Sequence, residues 1–229
     1  MKIGFFGGDV LKLMDDMAKL QPTLFPSVPR LYNRIHGKIL GGVKEAKGIK
    51  GWLLNKAIST KLANFKNGEG LDHCFYDRIV FSKIKAMFGG KVRLMLTGSA
   101  PISGEVLDFL KICFCCDILE GYGMTETSAG SCVSLEGDPE SGIVGGPLQN
   151  VKIRLRDIPE MQYFHTDDPP RGEVCMWGPS IMKGYFKNPE KTAECLTEDG
   201  WIFTGDVGLV KKNGALKIID RAKNIFKLS

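Results

Sequence analysis

The sequence predicts an α/β fold in which strand-helix-strand sheet layers are followed by a β-rich subdomain. Helical periodicity and buried-strand patterns alternate through the first 145 residues, and short strand patterns dominate from about residue 150. The 229 residues are 43% apolar and 25% charged, which is the ordinary composition of a globular protein. A chain of this length buries roughly 70% of its unfolded surface, so a substantial core is expected.

The first part of the chain predicts mainly helices. Residues 10–20 carry apolar side chains at helical spacing behind Asp9, a candidate N-cap, and Pro22 ends the pattern. The proline-rich stretch 22–29 predicts a short extended segment that leads into a helix from Arg30. Two further helical patterns cover residues 49–65 and 74–88.

A strand-helix-strand unit is predicted near the middle of the chain. A glycine pair ends the helical pattern before residues 92–96, an apolar run typical of a buried strand. A turn at 97–101 follows, and Ser103 is the candidate N-cap of a helix over 105–112. The next strand pattern lies at 117–119. Because ligands of open α/β sheets gather at strand ends, the turns after these strands are candidate sites.

The last third of the chain predicts strands and a single helical segment. The four strand patterns cover residues 151–156, 172–177, 201–210 and 215–219. Asn213 and Gly214 form a pair that is typical of a tight hairpin between the last two strands. These patterns divide the chain into an α/β part at 1–145, a β-rich subdomain at 146–219 and a terminal stretch at 220–229.

The composition and net charge of the chain indicate which kinds of ligand and which cellular compartment to expect. The net charge of +5 is spread without long runs of like charge, which favours small polyanionic ligands and argues against nucleic acid. Seven cysteines at irregular spacing predict neither a disulfide framework nor a zinc site, so we expect buried, unreactive thiols in an intracellular compartment. No run of about 18 apolar residues predicts a membrane span, and no targeting signal is recognisable.

The strongest candidate site is the stretch GYGMTET, directly after a predicted strand. We interpret it as a loop that combines glycines for close backbone approach, an aromatic face for a base, hydroxyls for phosphate and a carboxylate for Mg²⁺. Its residues are Gly121, Tyr122, Gly123, Thr125, Glu126 and Thr127. A polar turn around a core tyrosine is the alternative interpretation. The stretch is neither a dinucleotide fingerprint nor a phosphate-binding P-loop, so ATP would have to bind in another geometry.

Two weaker candidates lie near the end of the chain. Asp206 follows Thr204 and Gly205 at a predicted strand end, where an exposed carboxylate could accept hydrogen bonds from both ribose hydroxyls. Arg221 could bind ribose or phosphate, and Lys223 could lie at a flexible edge. For Asp206 the alternative is an ordinary turn without a ligand, and for Arg221 and Lys223 it is a solvent-exposed ion pair.

Four sequence blocks, in this order, resemble the adenylate-forming superfamily. They are LTGSAP at 96–101, EGYGMTET at 120–127, GWIFTGD at 200–206 and IDRAKNIFKL at 219–228. The blocks VPRLYNR at 28–34 and NIFKL at 224–228 are similar to long-chain acyl-CoA synthetases in particular. The similarity runs over essentially the whole chain, and it implies that the fold is part of the large N-terminal, AMP-binding domain of such an enzyme.

The resemblance implies roles for individual residues. It assigns the boundary between the nucleotide and the acyl pocket to Gly98, Ser99 and Ala100. It places adenine on Tyr122, phosphate on Thr125, Mg²⁺ on Glu126, the ribose hydroxyls on Asp206 and the ribose on Arg221, with Gly121 and Gly123 alongside. Lys223 would lie at the hinge to a C-terminal domain that is missing from this chain.

The implied reaction is ATP-dependent adenylation of a long-chain fatty acid, followed by thioester formation with coenzyme A. ATP, Mg²⁺ and coenzyme A are the implied cofactors, and peripheral contact with a peroxisomal or endoplasmic reticulum membrane is implied. The family's phosphate loop and C-terminal lysine do not occur in the chain, so we expect the chain alone to be inactive. Two alternatives are another adenylate-forming ligase, for aryl or medium-chain acids, and a non-catalytic truncated remnant.

Overall fold

The computed structural model describes residues 2–221, and these pack as two compact units. The first unit comprises the residues up to Leu119 together with Glu136–Ser141, and the second comprises Glu120–Leu135 and the residues from Gly142 onward. The structure contains helices together with parallel and antiparallel strands, which confirms the predicted α/β class. The division into domains at residue 145 stays a prediction.

The first unit is mainly helical around a pair of parallel strands. The strands β1 (Leu24–Ser27) and β2 (Leu94–Thr97) pair along their whole length. The helices are α1 (Leu13–Leu20), α2 (Pro29–Glu45), α3 (Gly48–Lys66), α4 (Cys74–Tyr76), α5 (Ser82–Ala86) and α6 (Gly104–Phe114). A π-helical segment at Asp77–Phe81 joins α4 to α5, so the predicted helix over 74–88 exists but has three parts.

Two predicted helix starts need correction. Helix α1 begins three residues later than its sequence pattern, because residues 10–12 form a turn in which the carboxylate of Asp9 accepts the N–H of Leu11 at 2.9 Å. Ser103 does stand at the N-cap position of α6, but its side chain makes no capping hydrogen bond. The first turn of α6 therefore depends on Glu105 and on packing rather than on a serine cap.

The core of the first unit is formed by α2, α6 and the two strands. Leu107 and Leu110 of α6 are fully buried in it. The buried hydroxyl of Tyr32 lies 2.9 Å from the carbonyl oxygen of Phe25 and 3.1 Å from that of Leu96, so α2 is tied to β1 and β2. Burial raises the pKa of Tyr32 far above its ordinary value, and the phenol stays a neutral donor.

An ammonium group lies inside the same unit. The side chain of Lys61 is 1% exposed, and its Nζ lies 2.5 Å from Oδ1 of Asp77 and 3.1 Å from Sγ of Cys115. The N–H of His73 donates to the other oxygen of Asp77 at 2.7 Å. Burial alone would raise the pKa of Asp77, but the hydrogen bonds from Lys61 and His73 and the charge of Lys61 outweigh burial and lower it. One cation thus links α3, the π-helical segment and the end of α6.

The second unit is built from antiparallel strands. Strand β3 (Asp117–Met124) continues into this unit and pairs with β4 (Ala129–Val133), which pairs with the short β5 (Gly146–Pro147). A four-stranded sheet is formed, in chain order, by β6 (Lys152–Arg156), β7 (Arg171–Trp177), β8 (Ile202–Val210) and β9 (Leu216–Arg221). Helix α7 (Pro189–Cys195) is the predicted helical segment, and the predicted hairpin at Asn213 and Gly214 joins β8 to β9.

The stretch 121–127 is not the loop that the sequence predicted. Residues 121–124 continue β3, and Thr125–Thr127 form a single 3₁₀ turn that leads into β4. Strands β4 and β5 were not predicted, because glycine, serine and alanine carry little strand propensity. These segments are held in a sheet by backbone pairing, of β4 with β3 and of β5 with β4.

The expectation of buried thiols holds for four of the seven cysteines. Cys113, Cys116, Cys132 and Cys175 are buried, and burial raises the pKa of Cys116 and Cys132 to about 12. Cys115 and Cys195 are half-buried and Cys74 is exposed, which corrects the prediction for these three.

Candidate functional site

The turn at Thr125–Thr127 presents two of the predicted site residues at its surface. Thr127 is fully buried, and its hydroxyl accepts the N–H of Met124 and lies 3.1 Å from the carbonyl oxygen of the same residue. The expectation that Thr127 offers a hydroxyl to phosphate is therefore wrong, since this hydroxyl forms hydrogen bonds within the turn. Thr125 is exposed and Glu126 is half-buried, so these two side chains remain available to a ligand.

Gly123 is required by the chain's own backbone. A Cβ atom at this position would lie 1.6 Å from the carbonyl oxygen of Ala129, which is far inside any allowed contact. The register of β3 against β4 shifts between Tyr122 and Gly123, and Gly123 pairs with Gly130. The close approach that the glycine permits is thus between two strands, which fixes the entry into the Thr125–Thr127 turn.

Replacing Gly123 by alanine is expected to destabilise the chain by about 3 kcal/mol, because backbone atoms must move to admit the methyl group. Urea unfolding monitored by circular dichroism measures the change. Gly130→Ala is the matched control, since its Cβ would meet nothing nearer than a Leu148 methyl at 3.7 Å. Equal losses of stability in the two variants would contradict the strand contact at Gly123.

Glu126 is held by a partner that the sequence did not suggest. The hydroxyl of Tyr185 donates to Oε1 of Glu126 at 2.7 Å, and the N–H of Met182 donates to the Glu126 carbonyl oxygen at 2.8 Å. The hydrogen bond to Glu126 is the main cause that raises the pKa of Tyr185 to about 12. Tyr185 lies 59 residues further along the chain in an exposed segment, where no local pattern marks it.

Asp206 lies inside a strand, and not at a strand end as the sequence predicted. It is buried in β8, with 12% of its side chain exposed, because β8 pairs with β7 on one side and β9 on the other. The hydroxyl of Tyr122 donates to Oδ2 of Asp206 at 2.8 Å, and Nε of Arg221 lies 3.3 Å from Oδ1. Burial, followed by the charge of Asp206, raises the pKa of Tyr122 far above its ordinary value. The three side chains form one cluster, joined by a hydrogen bond and an ion pair.

The predicted site residues are distributed over the two units. Eight of them lie in the second unit, namely Gly121, Tyr122, Gly123, Thr125, Glu126, Thr127, Asp206 and Arg221. Gly98, Ser99 and Ala100 lie in the first unit, at the turn that follows β2, where Ser99 has a left-handed backbone with φ of 68°. Lys223 lies outside the described residues.

The sequence and the site define a class of protein: the chain belongs to the AMP-binding enzyme family, whose model matches residues 1–186. Its relatives identify a narrower group. The chain is 51% identical over 228 residues to "Long chain acyl-CoA synthetase 7, peroxisomal" of Arabidopsis thaliana, covering 99% of this chain and 32% of the relative. It is 48% identical to "Long-chain-fatty-acid--CoA ligase 1" of Homo sapiens, covering 100% of this chain and 32% of the relative. The chain therefore spans about a third of the length of the curated relatives it matches.

Solved structures agree with this family. The A domain of carboxylic acid reductase from Segniliparus rugosus, solved with AMP and a co-purified carboxylic acid, matches with a TM-score of 0.70 at 27% identity. That match covers 96% of this chain and 30% of the solved chain. ATP-bound MatB from Rhodopseudomonas palustris matches with a TM-score of 0.62 at 25% identity, covering 94% of this chain and 33% of MatB.

Proposed function

We propose that the protein containing this chain is a long-chain fatty acid–CoA ligase, and that this chain supplies much of its nucleotide site. The observation that carries the proposal is that a cluster of polar side chains and a polar turn are joined by one strand in the second unit. Tyr122, Asp206 and Arg221 form one cluster, joined by a hydrogen bond and an ion pair, and the Thr125–Thr127 turn directly follows the strand that carries Tyr122. A cluster suited to a nucleoside is thus joined to a turn suited to phosphate and metal.

The nucleoside end of the site is assigned to the cluster around Asp206. Tyr122 is half-buried with its hydroxyl fixed, so one ring face can take adenine while the ring stays in place. Each oxygen of Asp206 has one partner within the cluster, and a carboxylate oxygen can accept a second hydrogen bond. Asp206 would accept from the ribose hydroxyls, and Arg221, which is 76% exposed, would reach the ribose.

The phosphate end is assigned to Thr125 and Glu126. Mg²⁺ in nucleotide sites is commonly held by one or two carboxylates together with substrate phosphates, so a single half-buried glutamate fits this donor set. When bound, Mg²⁺ would screen the repulsion between the fatty carboxylate and the α-phosphate. Thr125 would donate its exposed hydroxyl to a phosphate oxygen, with Gly121 and Gly123 setting the path of the strand behind it.

The proposed chemistry has two steps. A carboxylate oxygen of the fatty acid attacks the α-phosphorus of ATP, and pyrophosphate leaves. The sulfur of coenzyme A then attacks the acyl carbon, its proton is lost, and AMP leaves with the bonding electrons. The residues of this chain hold the nucleotide in line for the first step, and orientation of this kind is a large part of catalysis.

The acyl and coenzyme A ends of the site are proposed from the family similarity alone. We assign Gly98, Ser99 and Ala100 to the boundary between nucleotide and acyl group, and Lys223 to the hinge for the second step. The names of the relatives favour long-chain acids. A ligase for aryl or medium-chain acids would use the same nucleotide residues, and a non-catalytic remnant would keep them without turnover.

A chimera tests the proposal. The 228-residue segment of the human relative that matches this chain is replaced by the chain, and acyl-CoA formation is measured with radiolabelled acids of 6, 10, 16 and 20 carbons and with benzoate. We expect the 16-carbon acid to be the best of the panel. Preference for the 6-carbon acid or benzoate would favour another acid–CoA ligase. A folded chimera without activity towards any acid would favour the remnant.

We also propose that the protein acts at a peroxisomal membrane, where long-chain acids partition, with the endoplasmic reticulum as the alternative. The support is the peroxisomal name of the Arabidopsis relative. Across residues 2–221, none of the helices has both the length and the apolar character needed to cross a bilayer. The form of membrane association that we propose is peripheral contact.

A further inference from the structure

Glu126 is oriented by a side chain from a distant part of the chain. The hydroxyl of Tyr185 donates to Oε1 at 2.7 Å, whereas Oε2 has no hydrogen-bond partner among the residues that the structure describes. A carboxylate held in this way presents one oxygen in a fixed direction. Mg²⁺ demands nearly ideal octahedral geometry, so the direction of a ligand oxygen matters for its affinity.

We propose that Tyr185 is a positioning residue that holds Oε1 of Glu126 and thereby presents Oε2 to the magnesium ion of MgATP. This inference rests on the proposed function, in which Glu126 is the metal ligand. Hydrogen bonds to ligating groups commonly contribute 10- to 100-fold to metal affinity, because they orient the ligand before the metal arrives.

Tyr185 is itself fixed by a chain of hydrogen bonds from α7. Its N–H donates to Oγ1 of Thr192 at 2.9 Å, and the Thr192 hydroxyl donates to the carbonyl oxygen of Asn188 at 2.9 Å. The side chain of Asn188 caps α7 by accepting the N–H of Lys191 at 3.1 Å. The backbone of Tyr185 is therefore held by a capped helix, although 39% of the residue is exposed.

The backbone of the same segment also holds the turn that carries Glu126. The N–H of Met182 donates to the Glu126 carbonyl oxygen at 2.8 Å, and the hydroxyl of Ser128 donates to the carbonyl oxygen of Ser180 at 2.9 Å. Together with the Tyr185 hydroxyl, these bonds attach residues 180–185 to the turn at three points. Backbone and side chain of Glu126 are thus both oriented before any ligand binds.

The test measures the affinity of the full 229-residue chain for ATP by calorimetry, once with Mg²⁺ and once with EDTA. The dissociation constant in EDTA divided by the dissociation constant in Mg²⁺ is the factor by which the metal improves ATP binding. We expect Tyr185→Phe to lower this ratio about tenfold while leaving the affinity in EDTA unchanged. In the background of Glu126→Gln, the same substitution should change nothing further, because Glu126→Gln has already removed the carboxylate ligand through which Tyr185 acts.

Tyr163→Phe is the matched control, since this tyrosine of the same unit packs on Arg171. Thr192→Val is a second variant, which keeps the Tyr185 hydroxyl but loosens its backbone; it should lower the ratio less and speed amide exchange at Tyr185. A Tyr185→Phe chain with an unchanged ratio would overturn the inference and leave the proposed function standing. No Mg²⁺ effect in the unaltered chain would overturn the proposed role of Glu126 and this inference with it.

Discussion

Replacing Glu126 by glutamine in the chimera is expected to lower ATP–pyrophosphate exchange by about 100- to 1,000-fold, the usual cost of losing one preorganised electrostatic group. Glutamine keeps the size of the side chain and can still accept the hydrogen bond from Tyr185. It loses the negative charge that a hard cation requires, so the metal site fails while the turn stays intact. Exchange of radiolabelled pyrophosphate into ATP measures this step directly.

Glu160→Gln is the control for this result, because Glu160 is an exposed glutamate in a 3₁₀ turn of the same unit. Its exchange rate should match that of the unaltered chimera. Binding of the fatty acid, measured by dialysis, should be the same in both variants. Exchange by the Glu126→Gln chimera within threefold of the control would show that Glu126 does not hold the metal.

Replacing Lys61 by methionine is expected to cost at least about 3 kcal/mol of folding stability, because the change leaves the carboxylate of Asp77 partly buried without its cation. The value stands at the lower end of the usual range, since 21% of the Asp77 side chain is exposed. Methionine fills similar space, so a packing defect contributes little. Urea unfolding at pH 7 gives the measurement, and Lys66→Met, an exposed lysine of the same helix, is the control.

The same variant has a characteristic pH dependence. The pKa of Asp77 is lowered in the folded protein, so the pair stabilises the fold above the unfolded pKa of about 3.9 and loses this contribution as the pH falls through the folded pKa. Without Lys61, burial raises the pKa of Asp77 instead, and protonation removes the buried charge. The difference in stability between the two proteins should therefore shrink from pH 7 towards pH 3. A constant difference would contradict the ion pair.

The parts of the fold that the sequence predicted well are those in which side chains carry the signal. Strand β6 alternates apolar and polar residues, β7 to β9 contain short apolar runs, and α2 has its apolar residues at helical spacing. Asp206 was placed wrongly because Gly205, with φ of 70°, has the sequence signature of a turn although it lies within β8. The strand continues through this kink since it has hydrogen-bonded neighbours on both sides.

The candidate site was predictable only where its residues are close in sequence. Thr125 and Glu126 stand in one recognisable block, and the structure places both on one turn. The bond between Tyr122 and Asp206 joins residues 84 positions apart, and the bond between Tyr185 and Glu126 joins residues 59 positions apart. Pairings of this kind arise from the packing of strands and loops, for which a single sequence carries no local signal.

The π-helical segment Asp77–Phe81 lets this part of the chain take up one extra residue without changing the direction of its side chains. A π turn holds about one residue more than an α turn, so five π-helical residues turn about as far as four α-helical ones. A residue added to a regular α-helix would instead rotate one side against the other by about 100°. With the π turn, Asp77 faces Lys61 while Phe81 stays in the core. Deleting one residue at this segment should therefore disturb the fold less than deleting one residue within the regular helix α3.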